Sequence, residues 1–337
     1  MGLFDFLKPV WMSDNWKKRD KAIKQVERET DQTKLVEIVK KAPLEEVKSA
    51  AVKKLNDCFI ILGISNKAKK EGPIEVVFAA RDRLEELMKD IADQNTIANV
   101  AKTSNDSEIC KAAVNHLTDQ SLLADIAKKH TDDYVRASAV YKLTDQNLLA
   151  DFAKKDKFYD VIENAMLNLT DQSLLADVAK NASGVGARRG AASRLTDQTV
   201  LAYIAKNDKD EQVRLEAVNN EYFTDQEVLA YIAKYALTER KEKFYVYTYD
   251  DRTFEGYSRT GVEMYDVDKD LRIAAIKKLT DQKELTYVAQ NDKSSDVRKV
   301  AAEKLTDKIL AKEIYADIAK MRKKEDDETR RKMGLKD

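Results

Sequence analysis

The chain has 337 residues, with 60 Lys+Arg against 60 Asp+Glu and a formal charge of zero, which removes the simplest electrostatic case for a nucleic-acid partner. Its two cysteines, Cys58 and Cys110, cannot build a disulfide framework and point to a reducing, cytoplasmic compartment, and two histidines, His116 and His130, exclude most multi-histidine metal centres. Only 3 prolines and 9 glycines accompany 36% charged residues, the composition of a helical protein.

Residues 1–29 are read as an N-terminal cap. The opening Met1-Gly2-Leu3-Phe4-Asp5-Phe6-Leu7-Lys8 has no basic region followed by an apolar one, so it does not read as a signal peptide. Phe6 stands where a myristoylation motif needs Ser or Thr. No stretch of the chain approaches the roughly 18 apolar residues of a membrane span.

From Thr30 a repeat takes over. Thr-Asp-Gln or a close relative recurs with its aspartate at 31, 57, 93, 119, 145, 171, 197, 225, 281 and 307. Most steps are 26 residues; Asp57 to Asp93 is 36, Asp197 to Asp225 is 28, and Asp225 to Asp281 is 56. Fixed periods of this length mark tandem repeats. In the unit that begins at Thr118, the threonine is the expected N-cap, with Asp119 next to it in the positive first turn. Leu122, Leu123, Ile126 and Ala127 then share one helical face. His130-Thr131-Asp132-Asp133 breaks the pattern, and a second helix from near Asp132 carries Val135, Ala139, Val140 and Leu143 on one face. Helices of about three turns are too short to persist alone, so each unit needs its neighbours to cover its apolar stripe. The small residue at one phase of the second helix, Ala51, Ala113, Ala139, Ala165, Ala191, Ala217, Ala275 and Ala301, suits a close helix crossing.

The second-helix pattern Asp132-x-x-Val135-Arg136-x-x-Ala139-x-x-x-Leu143 recurs around Asp210, Asp268 and Val297. It resembles the bacterial kind of HEAT or HEAT-like repeat, over roughly Thr30 to Lys320. The resemblance implies an all-α, right-handed α-α superhelix, here of about ten short helix pairs with tight turns. The unit opened by Asp57 departs most, with the apolar run Cys58-Phe59-Ile60-Ile61-Leu62 and an expected loop from Asn66 to Gly72.

Two polar columns repeat with the helices. Arg136, Arg188, Arg214, Arg272 and Arg298, with Lys48 as a variant, read as a ladder to aspartates or carbonyls of adjacent units, the reading implied by the HEAT-like resemblance. A phosphate track is the competing reading, and Cys110 and Ile162 interrupt it. Gln120, Gln146, Gln172, Gln198, Gln226 and Gln282 read as amides bonded between units, each satisfied by the next copy. Asn181 to Gly190 holds three glycines and two arginines but lacks the preceding strand of a phosphate loop.

Solenoids bind through the concave face lined by second helices. Candidate partner-binding residues there are Tyr134, Tyr141, Asp160 and Asn164, with Ser138 and Asn168 beside them. The repeats are then split, 30–234 and 269–320, by an insertion at 235–268 rich in aromatic residues. Phe244 to Tyr249 reads as a strand, Asp250-Asp251-Arg252 as a turn, and Thr253 to Ser258 as the return, a β-hairpin-like insertion. Its Tyr245, Tyr247, Tyr249, Phe254 and Tyr257 are candidate anchors for a partner; the alternative is a hairpin folded over its own unit. With 5 Lys+Arg against 8 Asp+Glu between Thr238 and Asp268, a nucleic-acid clamp is disfavoured. Residues 321–337 are a charged tail. There is no Cys/His motif, no His-Glu dyad and no Gly-x-Ser-x-Gly elbow, so the expectation is no catalysis, no cofactor and no metal. The sequence therefore predicts a non-enzymatic scaffold that binds another protein. A nucleic-acid binder or DNA glycosylase of the HEAT-like type is the alternative that the resemblance allows.

Overall fold

The repeated aspartates start helices by capping them. In the computed structural model, Asp119 Oδ1 accepts the Ser121 and Leu122 amides at 2.8 and 3.0 Å. Asp31, Asp57, Asp93, Asp145, Asp171, Asp197, Asp225, Asp281 and Asp307 do the same for one or two amides each. The cap is thus the aspartate, not the threonine before it. A carboxylate satisfies orphan amides and also meets the positive end of the helix dipole, which a hydroxyl does not.

The structure describes residues 9–236, 239–250, 255–266 and 268–333, with backbone only in 239–266 and for residues 325, 326 and 328–333. The chain divides into two units, Met1–Leu169 and Thr170–Asp337. The first holds two short 3-10 turns and α1 (Arg19–Arg28). Five pairs follow: α2 (Gln32–Lys41) with α3 (Glu45–Val52), α4 (Cys58–Glu71) with α5 (Ile74–Met88), α6 (Gln94–Thr103) with α7 (Ser107–His116), α8 (Gln120–Lys129) with α9 (Asp133–Tyr141), and α10 (Gln146–Lys155) with α11 (Tyr159–Asn168). The second holds α12 (Gln172–Asn181) with α13 (Val185–Ala192), α14 (Gln198–Asn207) with α15 (Glu211–Asn219), α16 (Gln226–Tyr235) with α17 (Lys269–Lys278), α18 (Gln282–Asn291) with α19 (Ser295–Glu303), and the single α20 (Lys308–Met333). Inside each unit every second helix packs on the next one, and first helices meet at α4–α6, α6–α8, α12–α14, α14–α16 and α16–α18.

Two expectations change. The tenth aspartate, Asp307, opens one long helix instead of a pair, because Met321-Arg322-Lys323-Lys324 offers no capping residue or turn former to stop it. Asn66 to Glu71 form no loop; they extend α4, which ends at Gly72. Between α16 and α17 the backbone runs as β1 (Glu239–Asp250) and β2 (Glu255–Asp266), antiparallel with Glu239 opposite Asp266.

The core is aliphatic. Leu123, Ile126, Val135, Val140 and Leu143 of one pair are buried, each contributing about 1.5–3 kcal/mol of apolar burial. All eight alanines of the second-helix column are fully buried, where a larger side chain would overpack the crossing.

Candidate interaction surface

Most of the repeated polar residues are used inside the array. The first-helix glutamine bridges to the next pair. Gln120 Nε2 donates to Lys142 O at 3.1 Å, while its Oε1 accepts the Thr144 amide and hydroxyl at 3.0 and 3.1 Å. Gln172 and Gln282 repeat this with Arg194 and Thr196, and with Lys304 and Thr306. The glutamines do not bond each other. Successive helices lie about 8–10 Å apart, beyond amide-to-amide reach, but the loop of the next pair is close enough.

The arginine column pairs with aspartates, as a ladder reading expects. Arg188 Nε and Nη2 donate to Asp208 at 2.8 and 3.1 Å, and Arg272 to Asp292 at 2.8 and 3.2 Å. Arg136 reaches Asp156, and Arg214 pairs with Asp268. Arg298 instead donates to Ala289 O at 2.7 Å. Cys110, at the same phase, donates its thiol to Ser104 O at 3.5 Å. Burial pushes that thiol up to about 11. Lys48 does not join the ladder: it makes no ion pair among the described residues. Arg81, which sequence reading overlooked, does join, with Nη2 donating to both oxygens of Asp106 at 3.1 and 2.9 Å. Burial raises the Asp106 pKa, but Arg81, the Glu108 amide and Lys69 outweigh it, and the carboxyl titrates below its ordinary range.

A further ladder was hidden among residues that read as surface charge. Lys142 Nζ donates to Val114 O and Asn115 O at 3.2 and 2.5 Å, and Lys304 Nζ to Ile276 O, Lys277 O and Leu279 O at 3.0, 2.6 and 2.6 Å. Each ammonium caps the carbonyl end of the preceding second helix. Burial lowers the pKa of Lys142, Lys278 and Lys304.

The candidate residues therefore separate. Asn164 Nδ2 donates to Ala137 O at 3.0 Å and Asn168 Nδ2 to Tyr141 O at 2.6 Å, so both tie α11 to α9. The Ser138 hydroxyl donates to Tyr134 O at 2.9 Å. Asp160 sits half-buried in the first turn of α11. Tyr134 and Tyr141 stand out from α9, 58% and 60% exposed. The Tyr134 ring meets Phe158 edge-on, with centroids 5.0 Å apart. Beside them on α11, Tyr159 and Leu167 are 67% and 60% exposed, and neither was singled out by sequence. The helical positions of Tyr159 and Leu167 relative to the buried Val161, Ala165 and Met166 would have marked both as outward-facing. Tyr245, Tyr247, Tyr249 and Tyr257 lie in β1 and β2, where only backbone is described, and Phe254 lies outside the described residues.

The second unit carries a row that sequence reading also missed. Tyr203, Tyr231 and Tyr287 occupy one phase of α14, α16 and α18, and each lies under a lysine of the preceding first helix. Lys180, Lys206 and Lys234 Nζ are 5.2, 4.9 and 4.8 Å from the ring centres. In the first unit the same phase holds Asp125, paired with Lys102 and Lys129 at 2.5 and 2.6 Å. Those two ammoniums pull its carboxyl down to about 2. The change at this phase from Asp in α8, α10 and α12 to Tyr in α14, α16 and α18 was readable.

Among the described residues no three His, Cys, Asp or Glu side chains gather as metal ligands, and no helix is long and apolar enough to cross a membrane. No family model matches the chain, and no curated protein matches it.

Proposed function

We propose that this chain is a HEAT-like, non-enzymatic scaffold that binds another protein through the α9–α11 surface, with the aromatic insertion as a second contact. The observation that carries the reading is the cluster Tyr134, Tyr141, Tyr159 and Leu167, large and exposed on two packed helices. Exposed tyrosines of this kind anchor protein partners. Below them the amides that could have read a small ligand are spent on neighbouring carbonyls. The repeated arginines are likewise held by aspartates or carbonyls, which weighs against a nucleic-acid track on this face.

The test is photo-crosslinking in the native host with benzoylphenylalanine placed at 141 and, as a control, at 95 on α6. A discrete adduct at 141, absent at 95 and lost in a Tyr134→Ser/Tyr159→Ser background, supports the scaffold. Equal labelling at both positions, or an adduct untouched by those substitutions, removes it. For the insertion, Tyr245→Ser/Tyr247→Ser/Tyr249→Ser should weaken capture of the same partner; unchanged capture removes the insertion from the interface.

A further inference from the structure

The pair α4–α5 differs from every other pair. Its helices have 14 and 15 residues, against 10 in each of the other first helices α2 to α18. The added length does not simply protrude. Ala68, Glu71, Gly72 and Pro73, all from the extension, close one side of a hollow of about 620 Å³. Its other walls are Val36 and Val39 of α2, Ile60 and Ile64 of α4, and Val76 of α5. That volume falls within the roughly 300–1,000 Å³ of small-molecule sites.

Gly63 lines this space. It stands six residues after its cap, the phase at which the other units place Glu37, Asn99, Asp125, Asp151, Asp177, Tyr203, Tyr231 and Tyr287. Glycine is a poor helix former, and a Cβ added at Gly63 would meet nothing within 4 Å, so no close contact demands glycine there. Its lack of a side chain leaves the hollow unfilled where Gly63 lines the wall.

The rim is cationic. Lys40, Lys48 and Lys67 border the aliphatic walls, against the single carboxylate of Glu71. None of the three lysines makes an ion pair among the described residues, although Glu45, three residues before Lys48, attracts it from outside the lining of the hollow. This explains Lys48 at the arginine phase: it borders the hollow instead of joining the ladder. An aliphatic interior with a positive edge complements a molecule that has an apolar chain and one anionic end.

We propose that the hollow between α2, α3, α4 and α5 binds a free amphiphile with an aliphatic chain and a carboxylate head, the chain against Val36, Ile60, Ile64 and Val76 and the head among Lys40, Lys48 and Lys67. This site uses none of the residues of the α9–α11 surface, so either reading can fail alone.

The test titrates the full chain into 1-pyrenedodecanoate below its micellar range, following pyrene fluorescence. Saturable one-to-one binding is expected. Gly63→Phe should weaken it by at least about 10-fold without lowering the melting temperature, while Gly63→Ala retains it. Ile60→Glu, at a position already partly exposed, is a second way to spoil the wall and should also weaken binding. Lys40→Gln/Lys48→Gln/Lys67→Gln should reduce affinity for the acid roughly 10-fold and leave the weaker binding of 1-pyrenedodecanol unchanged. Non-saturable binding, full affinity in both Gly63→Phe and Ile60→Glu, or equal affinity for acid and alcohol would each overturn the proposal. So would sedimentation of the chain with phosphatidylglycerol vesicles that Gly63→Phe abolishes, since the site would then meet a lipid surface instead of a free acid.

Discussion

The Arg188–Asp208 pair offers a quantitative test of the arginine ladder. Its side chains are 3% and 7% exposed. Arg188 makes two bonds to the carboxylate, at 2.8 and 3.1 Å, and two more to Ala182 O and Ser183 O at 3.1 and 3.2 Å. Arg188→Ile leaves the Asp208 carboxylate with only the Asp210 amide, at 2.8 Å. Removing one partner of a buried pair costs about 3–5 kcal/mol, and Asp208→Ala, which strands the guanidinium, should cost the same order. The double variant leaves no buried charge unpaired, although Ala182 O, Ser183 O and the Asp210 amide each lose a bond, and should lie within about 2 kcal/mol of the parent, because apolar replacement of a whole buried pair is close to neutral. Urea unfolding of the four proteins gives the coupling energy, with the slope checked for constancy. Because stacked pairs can open in parts, amide exchange in α13 and α14 should be followed in parallel. A coupling of at least about 2 kcal/mol is expected. A double variant as unstable as the sum of the singles would refute the idea that the pair acts as a unit.

Other perturbations follow from the same contacts. Gln120→Ala removes three bonds between α8 and the loop that leads from α9 into the next pair and should cost about 1–2 kcal/mol; urea midpoints check this, and an unchanged midpoint would make the bridge incidental. Asp93, Asp106, Asp119, Asp132 and Asp171 are held below their ordinary range, and Asp125 at about 2. A depressed carboxylate contributes stability that is complete above the unfolded value near 3.9 and lost as pH falls through the folded one. The melting temperature should therefore hold from pH 5 upward where these groups are concerned and fall between about pH 4 and 2; a flat acid limb would contradict it. Burial raises the pKa of both Cys58 and Cys110, so neither thiol should react with a disulfide reagent in the folded chain at pH 8, and both should react in urea. Tyr141→Ser should change stability by no more than about 0.5 kcal/mol, since its side chain is largely exposed.

What was legible in the sequence was whatever repeats at fixed phase. The aspartates locate the helix starts, the alanines locate the buried crossing, and arginines at one phase announce a ladder. Local chemistry blurred the rest. Thr118 and Asp119 both suit a cap, and only the geometry assigns the role to Asp119 and turns Thr118 toward Gln94, whose Oε1 accepts its amide at 2.7 Å. Lys142 and Lys304 look like solvated charge, because nothing local says that a neighbouring helix ends beside them. Asn164 looks like a surface amide for the same reason, since its acceptor, Ala137 O, lies 27 residues away. The α4–α5 pair was misjudged because Asn66, Gly72 and Pro73 are turn formers, yet only Gly72 and Pro73 lie between the helices. Tyr159 and Leu167 were readable from their helical positions relative to Val161, Ala165 and Met166 and were missed because attention went to the polar positions of α11.

Short helices that hold together only through their neighbours are the premise of every contact described above. Circular dichroism of the isolated pair 118–143, set beside the three-pair fragment 93–169, tests it most directly. Helices this short are marginal alone, so the single pair should be mostly coil in water at 25 °C, while the three-pair fragment should recover helix and unfold cooperatively. A single pair as helical as it is in the intact chain, or a fragment that gains no helix from its added neighbours, would contradict the account.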